Sequence, residues 1–190
     1  MYPKIIHTIA HFSSDTIPEH RKKILQALVD FIKEKRKSNE TVRLNFICTH
    51  NSRRSHLCQI WAQAMAHYFG VNDVFCYSGG TEVTAVFPKI VETLQHQGFE
   101  VMKLSETENP VYAIKSHSNQ TPSICFSKEY HHFFNPKNSF AAILTCNNAD
   151  ETCPTVTGTE KRIAITYQDP KIFDNSEIMN EKYAERSLEI

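Results

Sequence analysis

Apolar and polar residues recur along the chain in blocks that predict helices and strands. Residues 18–38 repeat apolar side chains at helical spacing, which predicts an amphipathic helix. Further helices are predicted over residues 53–69 and 88–97, because each has an apolar face and is followed by a glycine that can end a helix. The tail, residues 176–190, is predicted to form a short helix.

Short apolar runs between these helices predict strands. Four runs are clear, at residues 42–48, 74–78, 140–146 and 162–167. Residues 111–116 and 123–127 are also apolar and form either a hairpin or two separate strands. Strands that alternate with helices favour an α/β fold: a single domain with a mostly parallel sheet flanked by helices.

The composition is that of an ordinary soluble protein. The chain has 190 residues, of which 41% are hydrophobic, and its formal net charge is +0. This balance gives no basic surface for nucleic acid, and no apolar run reaches the length of a membrane span. The N-terminus has no hydrophobic signal core, so a cytoplasmic location is expected. In a reducing compartment the six cysteines are interpreted as core thiols, metal ligands or redox catalysts.

The sequence CTHNSRRS, residues 48–55, joins a predicted strand to a predicted helix. Unpaired N–H groups and the partial positive charge of a helix N-terminus make such a loop an anion site, which favours a thiolate at Cys48. The planar guanidinium of Arg54 fits two oxygens of a tetrahedral oxyanion. Ser55 can hydrogen-bond the thiolate, and Asn51 can brace the loop. This context favours a nucleophile over a core thiol.

CTHNSRRS resembles the phosphate-binding loop of the low-molecular-weight protein tyrosine phosphatase superfamily. The superfamily includes thioredoxin-coupled arsenate reductases, whose loop usually reads CTGNSCRS. His50 replaces a glycine of that pattern, which implies a tolerant backbone or a differently shaped loop, and Arg53 replaces a cysteine and adds a cation unless it points to solvent. The resemblance implies that the oxyanion is bound by Thr49, His50, Asn51, Ser52, Arg53 and Ser55.

A second motif, TCNNADETCP, contains Cys146 and Cys153. Because Cys48 and Cys146 both follow strands of a parallel sheet, they are expected close together at one edge. The polar loop between Cys146 and Cys153 looks mobile enough for the two to reach disulfide distance. Two incidental thiols are the alternative; the spacing fits zinc poorly, and no metal or cofactor is predicted. The motif resembles the CGDAxxxCP segment of the reductases, which implies a redox-active pair.

Two further sites have a structural and a catalytic interpretation. Asp169 precedes a proline after a predicted strand, which is typical of a plain turn, whereas the resemblance implies a general acid. SGGTEV, residues 78–83, resembles the superfamily's SAGTEV, which implies that Ser78 supports the loop; an ordinary serine at a strand end is the alternative. Three cysteines on apolar faces or strands are predicted to be core thiols: Cys58, Cys76 and Cys125.

The resemblance spans roughly residues 41–175. Residues 1–40 are therefore predicted to be a helical extension, which precedes a phosphatase-like or reductase-like domain at residues 41–190. Within the domain, residues 105–138 are longer than the usual connection, which predicts an enlarged insertion that forms a lid or a partner surface.

The resemblance implies arsenate reduction, the chemistry of arsenical resistance, with a Cys146–Cys153 disulfide that thioredoxin reduces. The second hypothesis is phosphomonoester hydrolysis through a Cys48 thiophosphate. It is weakened because Lys171 and Ile172 follow Asp-Pro, where the tyrosine phosphatases usually have an aromatic residue. The third is a non-catalytic phosphate-binding module or redox sensor, which the joint presence of the nucleophile, the arginine and the acid argues against.

Overall fold

The computed structural model of the chain describes residues 1–152 and 155–190. Within these ranges the helices are α1 (Pro3–Ala10), α2 (Glu19–Lys37), α3 (Arg54–Tyr68), α4 (Pro88–His96), α5 (Asn147–Thr152) and α6 (Met179–Glu189). The strands are β1 (Val42–Cys48), β2 (Val74–Gly80), β3 (Glu100–Lys103), β4 (Tyr112–Lys115), β5 (Ser123–Cys125), β6 (Phe140–Leu144) and β7 (Thr159–Ala164). Single 3₁₀ turns lie at Ser14–Thr16 and Pro170–Phe173.

The main sheet has four parallel strands in the order β2-β1-β6-β7. All five residues of β6 are buried, as expected for a strand covered on both faces. In the register, Cys48 lies opposite Gly80 and Ile47 lies opposite Leu144, so the carboxyl ends of three neighbouring strands meet at one edge. The predicted α/β fold with a mostly parallel sheet and flanking helices is confirmed.

A second, antiparallel sheet has the order β3-β4-β5. The two apolar stretches of the insertion are therefore antiparallel neighbours rather than separate strands. Strand β3 was not among the predicted elements, because its sequence EVMK is largely exposed and carries no apolar run. This sheet extends from β3 into residues 105–138, and the loop that follows β5 returns to the edge of the main sheet at Gly80.

The N-terminal 40 residues contain two helices, whereas the sequence predicted one. Helix α1 buries Ile5 and Ile9 in the same apolar cluster as Leu57 and Trp61 of α3. The Tyr2 N–H donates to the Ser116 carbonyl at 2.8 Å, which ties this segment to the β4–β5 region. The extension therefore shares a core with the rest of the described chain.

The segment after Cys146 differs from its prediction. An irregular polar loop was expected, but residues 147–152 form α5, whose Ala149 is buried and whose Asp150 pairs with Arg162 at 2.5 Å. Asparagine and aspartate are weak helix formers, so local propensity gave no signal of this helix. Cys153 and Pro154 lie outside the described residues.

Across residues 1–152 and 155–190, no helix combines the length and the apolar content that crossing a bilayer requires.

Candidate active site

The predicted anion loop lies between the end of β1 at Cys48 and the start of α3 at Arg54. Cys48 is 4% exposed, at the base of this loop. Among the described residues, the backbone N–H groups of residues 50–54 donate to no other group of the protein. These donors, together with the positive end of the α3 dipole, can bind a tetrahedral oxyanion next to the Cys48 sulfur.

Asn51 determines the curvature of the loop. Its φ is +44°, in the left-handed region that asparagine tolerates better than most residues. His50 is not among the described residues with positive φ, so the histidine at the family's glycine position carries no backbone strain. The His50 ring is 44% exposed and its Nε2 lies 3.3 Å from Glu82. The loop therefore keeps its curvature without a glycine.

A chain of hydrogen bonds runs from the Lys128 N–H through Asn51 and Ser55 to the Cys48 thiol. The direction of each bond follows from which groups can donate and which can accept. The Lys128 backbone N–H can only donate, and it donates to Asn51 Oδ1 at 3.0 Å. The amide is therefore oriented with Nδ2 toward Ser55, and Nδ2 donates to Ser55 Oγ at 2.8 Å. The Ser55 hydroxyl accepts this bond and is left to donate to Cys48 Sγ, 3.1 Å away. The chain of bonds thus delivers a donor to the sulfur, which stabilises a thiolate.

His56, in the first turn of α3, holds the same loop from its backbone side. Its ring is fully buried; Nε2 lies 2.8 Å from the Asn51 carbonyl oxygen and Nδ1 lies 3.1 Å from Ser78 Oγ. Burial, followed by the nearby charge of Lys128, lowers the His56 pKa from 6.5 to about 3. The ring is therefore neutral, and because a carbonyl only accepts, Nε2 carries the proton and Nδ1 accepts from Ser78. Ser78 thus contacts the loop through His56.

Lys128 brings a buried cation close to this network. Its Nζ donates to the Phe126 carbonyl at 3.2 Å and lies 4.4 Å and 5.6 Å from the ring centroids of Phe126 and Phe134. No salt bridge joins it to a carboxylate within the described ranges, and burial lowers its pKa to about 8. Aromatic faces and a carbonyl replace part of the lost hydration. The ammonium therefore adds positive potential behind the anion loop.

Arg54 and Asp169 meet at the loop, as the shared sheet edge predicts. Arg54 Nη2 lies 2.5 Å from Asp169 Oδ2, and Nη1 donates to the Tyr167 carbonyl at 2.9 Å. Arg54 Nε is buried without a partner among the described residues, which leaves it as a donor for an oxyanion. Asp169 Oδ1 also accepts from the Lys171 N–H at 3.1 Å, so Asp-Pro forms a turn and also brings a carboxylate to the site.

Arg53, predicted to bind the oxyanion, directs its guanidinium elsewhere. Nη2 donates to Asp174 at 2.7 Å, Nε donates to Tyr183 Oη at 2.8 Å, and the guanidinium carbon lies 3.9 Å from the centroid of Phe87. The Arg53 side chain therefore stabilises the contact with α6, and its backbone N–H is the group that remains in the loop. Ser52 is buried, and its carbonyl accepts from the Phe87 N–H at 3.0 Å.

Cys146 lies in the same buried apolar cluster as Cys48, together with Ile47 and Leu144. Thr49 Oγ1 lies 3.6 Å from Cys146 Sγ. The Ala149 N–H, in α5, donates to the same sulfur at 3.3 Å. The structure thus brings the first two predicted relay thiols to one sheet edge, while the third, Cys153, falls outside the described residues.

The other three cysteines are core thiols, as predicted. Cys58, Cys76 and Cys125 are all buried. Burial raises the pKa of each of these thiols, that of Cys125 to about 12, so they remain protonated at neutral pH.

Sequence reasoning missed His56, Lys128 and Tyr167. His56 had a local signal, because it directly follows Ser55 and the start of a helix turns it back toward the loop. Lys128 and Tyr167 had no such signal. Lys128, in residues 105–138, donates its backbone N–H to Asn51, and Tyr167 accepts from Arg54 through its backbone carbonyl. Backbone groups of distant segments leave no mark in a sequence pattern.

No profile of a known protein family matches the chain. The arsenate reductase of Staphylococcus aureus strain Newman is 27% identical over 125 residues, which cover 66% of this chain and 76% of that protein. The arsenate reductase of Staphylococcus aureus strain bovine RF122 is 29% identical over 118 residues, which cover 62% of this chain and 70% of that protein.

The fold is similar to that of a low-molecular-weight phosphotyrosine phosphatase from Vibrio cholerae O395. The TM-score is 0.52 at 13% identity, and the match covers 77% of this chain and 88% of that chain. At this identity the likeness concerns the fold alone. Sequence and fold together confirm that the chain resembles the low-molecular-weight phosphatase superfamily and its arsenate reductase branch.

Proposed function

We propose that the protein reduces arsenate to arsenite through a cysteine relay that begins at Cys48. The observation that carries the proposal is the position of Cys48 beneath a loop of unpaired N–H groups, with a second thiol, Cys146, in the same buried cluster. The sequence similarity to arsenate reductases supports this choice over other oxyanion chemistry.

In the first step the loop binds arsenate and the Cys48 thiolate attacks arsenic. The N–H groups of residues 50–54 and Nε of Arg54 hold the oxyanion, and Ser55 stabilises the thiolate until it attacks. The sulfur–arsenic bond forms, the bond from arsenic to its hydroxyl oxygen breaks, and that hydroxyl takes a proton from Asp169 and leaves as water. Backbone donors suit this step because they are already oriented and need no reorganisation.

Arg54 also places the acid beside the bound oxyanion. Its Nη2 holds Asp169 Oδ2 at 2.5 Å, while its Nε has no partner among the described residues and can donate to the oxyanion. The Asp169 carboxyl group therefore lies next to the oxyanion, where a general acid has to be.

In the second step Cys146 attacks the sulfur of Cys48. A Cys48–Cys146 disulfide forms, the sulfur–arsenic bond breaks, and its electron pair leaves with arsenic as arsenite. Cys153 then attacks Cys146, which releases Cys48 and leaves a Cys146–Cys153 disulfide. Two electrons have passed from thiols to arsenic, so each turnover requires a dithiol reductant, for which thioredoxin is proposed.

Phosphomonoester hydrolysis is the second candidate. It is favoured by the fold likeness to a phosphotyrosine phosphatase and needs only Cys48, Arg54 and Asp169. Phosphate and arsenate have the same shape and charge, so the loop accepts either. The exposed side chain after Lys171 is Ile172, 71% exposed, which offers no aromatic face for a phosphotyrosine ring.

One paired assay tests the proposal. Arsenate-dependent oxidation of NADPH is measured with thioredoxin and thioredoxin reductase, beside hydrolysis of p-nitrophenyl phosphate. We expect sustained arsenate turnover that depends on thioredoxin. Aryl phosphate hydrolysis without arsenate turnover with any thiol reductant would favour the phosphatase, and oxyanion binding without either activity would favour a non-catalytic module.

A further inference from the structure

We propose that His56 is a positioning residue for the Cys48 thiolate, and that it acts by donating from Nε2 to the Asn51 carbonyl. The role of Cys48 as nucleophile is taken from the proposed function. The role of His56 is inferred from the contacts of Asn51, which hold for either oxyanion.

Three groups hold Asn51, each at a different atom. The Lys128 N–H holds Oδ1 at 3.0 Å, Ser55 Oγ accepts from Nδ2 at 2.8 Å, and His56 Nε2 holds the carbonyl oxygen at 2.8 Å. Asn51 is fully buried and its φ is +44°, a conformation that persists only when the surroundings determine it. His56 is the group that fixes the peptide plane after Asn51, and the orientation of that plane directs the following N–H into the loop.

The His56 ring is itself held on both sides. It belongs to α3, one residue after Ser55, so its position moves with the serine that donates to the thiol. Ser78, at the end of β2, occupies Nδ1 at 3.1 Å. A ring turned over would place carbon atoms against both partners. The His56 ring therefore connects the end of β2 to the loop, so the position of β2 helps to determine the position of the loop.

The inference does not depend on titration of the ring, which stays neutral. Lys128, from the segment after β5, faces the ring and disfavours a second positive charge. The Asn51 carbonyl and Gln59, the latter from α3, favour the proton, but burial outweighs them. One tautomer, with the proton on Nε2, satisfies both neighbours.

Two substitutions separate positioning from simple core filling. In His56→Gln the side-chain amide nitrogen takes the place of Nε2, so the bond to the Asn51 carbonyl can persist. In His56→Asn the amide reaches only the place of Nδ1, so the bond to Ser78 can persist and the bond to Asn51 is lost. Both replacements are neutral and polar, and both lose the ring, which makes them matched controls.

The main readout is the rate at which iodoacetamide alkylates Cys48 at pH 6.5, followed by mass spectrometry of the Cys48 peptide in fully reduced protein. We expect His56→Gln to stay within about threefold of the wild-type rate and His56→Asn to fall about tenfold, which is the effect of one buried hydrogen bond. The kcat/KM for arsenate should follow the same order. Equal rates in the two variants, whether both high or both low, would overturn the proposal.

A measurement on the wild-type protein covers the case in which a variant does not fold. Nitrogen-15 NMR of the His56 ring should show a neutral imidazole with its proton on Nε2 from pH 5 to pH 8. A proton on Nδ1, or a ring that titrates in this range, would equally contradict the proposal. The alkylation rate and the NMR spectrum are measured without arsenate, so a protein without arsenate turnover would refute the proposed function and leave the role of His56 to be decided by these two results.

Discussion

At the residue scale, the two departures from the family's loop pattern fall where the side chain is not needed inside the loop. His50 has no positive φ and places a half-exposed ring beside Glu82. Arg53 binds Asp174 and Tyr183 with its guanidinium. The positions that direct donors toward the sulfur, Asn51 among them, keep the family residue. Both departures therefore leave the backbone N–H groups of residues 50–54 unpaired among the described residues.

Arg54→Lys should lower kcat/KM for arsenate by roughly 100-fold or more, the effect of losing a preorganised donor to the reacting oxyanion. Arg54 reaches the Tyr167 carbonyl, Asp169 and the oxyanion with different nitrogens of one planar group, and an ammonium cannot span the three. Steady-state kinetics and the inhibition constant of phosphate provide the measurement.

The matched control is Arg53→Lys, which keeps the backbone N–H of residue 53 in the loop and alters only the side-chain contacts with Asp174, Tyr183 and Phe87. It should reduce thermal stability more than it reduces kcat/KM. Rates for Arg54→Lys equal to those for Arg53→Lys would show that Arg54 does not contact the oxyanion.

His56 also predicts how stability varies with pH. Burial lowers its pKa from 6.5 to about 3, so below pH 6.5 the unfolded chain takes up a proton that the folded chain does not. The free energy of unfolding therefore falls as the pH is lowered from about 6.5 to about 3, and at pH 5 the loss is roughly 2 kcal/mol. Urea denaturation at pH 7.5 and pH 5 measures it. Between these two pH values the His56→Gln variant should lose roughly 2 kcal/mol less unfolding free energy than the wild-type protein. Identical losses in the two proteins would exclude His56 as the cause.

At the scale of elements, helix α2 connects the N-terminal extension to the active site. Arg21 of α2 donates to the Thr166 carbonyl at 3.0 Å and its guanidinium carbon lies 4.4 Å from the ring centroid of Tyr167. The Tyr167 carbonyl in turn accepts from Arg54 at 2.9 Å. The extension thus supports the segment that presents both Arg54 and Asp169.

We therefore expect Arg21→Gln to lower kcat/KM about tenfold, the effect of losing one charged hydrogen bond and one cation–π contact that position Tyr167. The fully folded state should persist, because α2 also packs through Phe31 and the apolar cluster around it. Lys23→Gln, an exposed position on the same helix, is the control and should keep the wild-type rate. A wild-type rate in Arg21→Gln would show that this contact of the extension does not contribute to catalysis.

The same elements show how far a sequence pattern predicts this fold. Strand β6 was predicted because burial on both faces leaves a continuous apolar run, and β1 was predicted because most of its residues are apolar and only two are polar or charged. Strand β3 and helices α1 and α5 were missed, because β3 is exposed, α1 has eight residues, and most residues of α5 are poor helix formers. Cys48, Arg54 and Asp169 were predicted as site residues from spacing and resemblance, and in the structure Arg54 and Asp169 meet at the loop that begins at Cys48. The Lys128 N–H was not, because its approach to Asn51 depends on where residues 105–138 return to the sheet.

At the scale of the whole molecule, the parallel sheet gathers groups from distant parts of the chain. Cys48 follows β1, Cys146 follows β6, and Asp169 follows β7, and parallel strands bring these carboxyl ends to one edge. The proposed nucleophile, the second thiol and the proposed acid thus share one site although they span more than half of the sequence. The proposed relay, which moves two electrons away from Cys48, can start at such an edge.

The relay makes a prediction that separates reduction from hydrolysis. Cys146→Ser and Cys153→Ser should each stop multiple-turnover arsenate reduction and leave aryl phosphate hydrolysis largely intact. Water can release Cys48 from phosphate, but only attack by a second thiol on the Cys48 sulfur leaves the electron pair with arsenic and releases it as arsenite. Cys48→Ser should abolish both reactions. Cys76→Ala is the control: burial raises the pKa of this thiol, it takes no part in the relay, and both activities should persist.

The Cys153→Ser variant should still complete a single turnover, because Cys146 can displace arsenite from Cys48 without help. It should then stop as a Cys48–Cys146 disulfide, since no third thiol remains to attack Cys146. Digestion under non-reducing conditions followed by mass spectrometry should show that cross-link in arsenate-treated protein and not in protein treated with phosphate. The amount of arsenite released should equal the amount of protein. If arsenate turnover continues unchanged without either cysteine, the electrons leave Cys48 by another route, and Cys146 and Cys153 are incidental thiols.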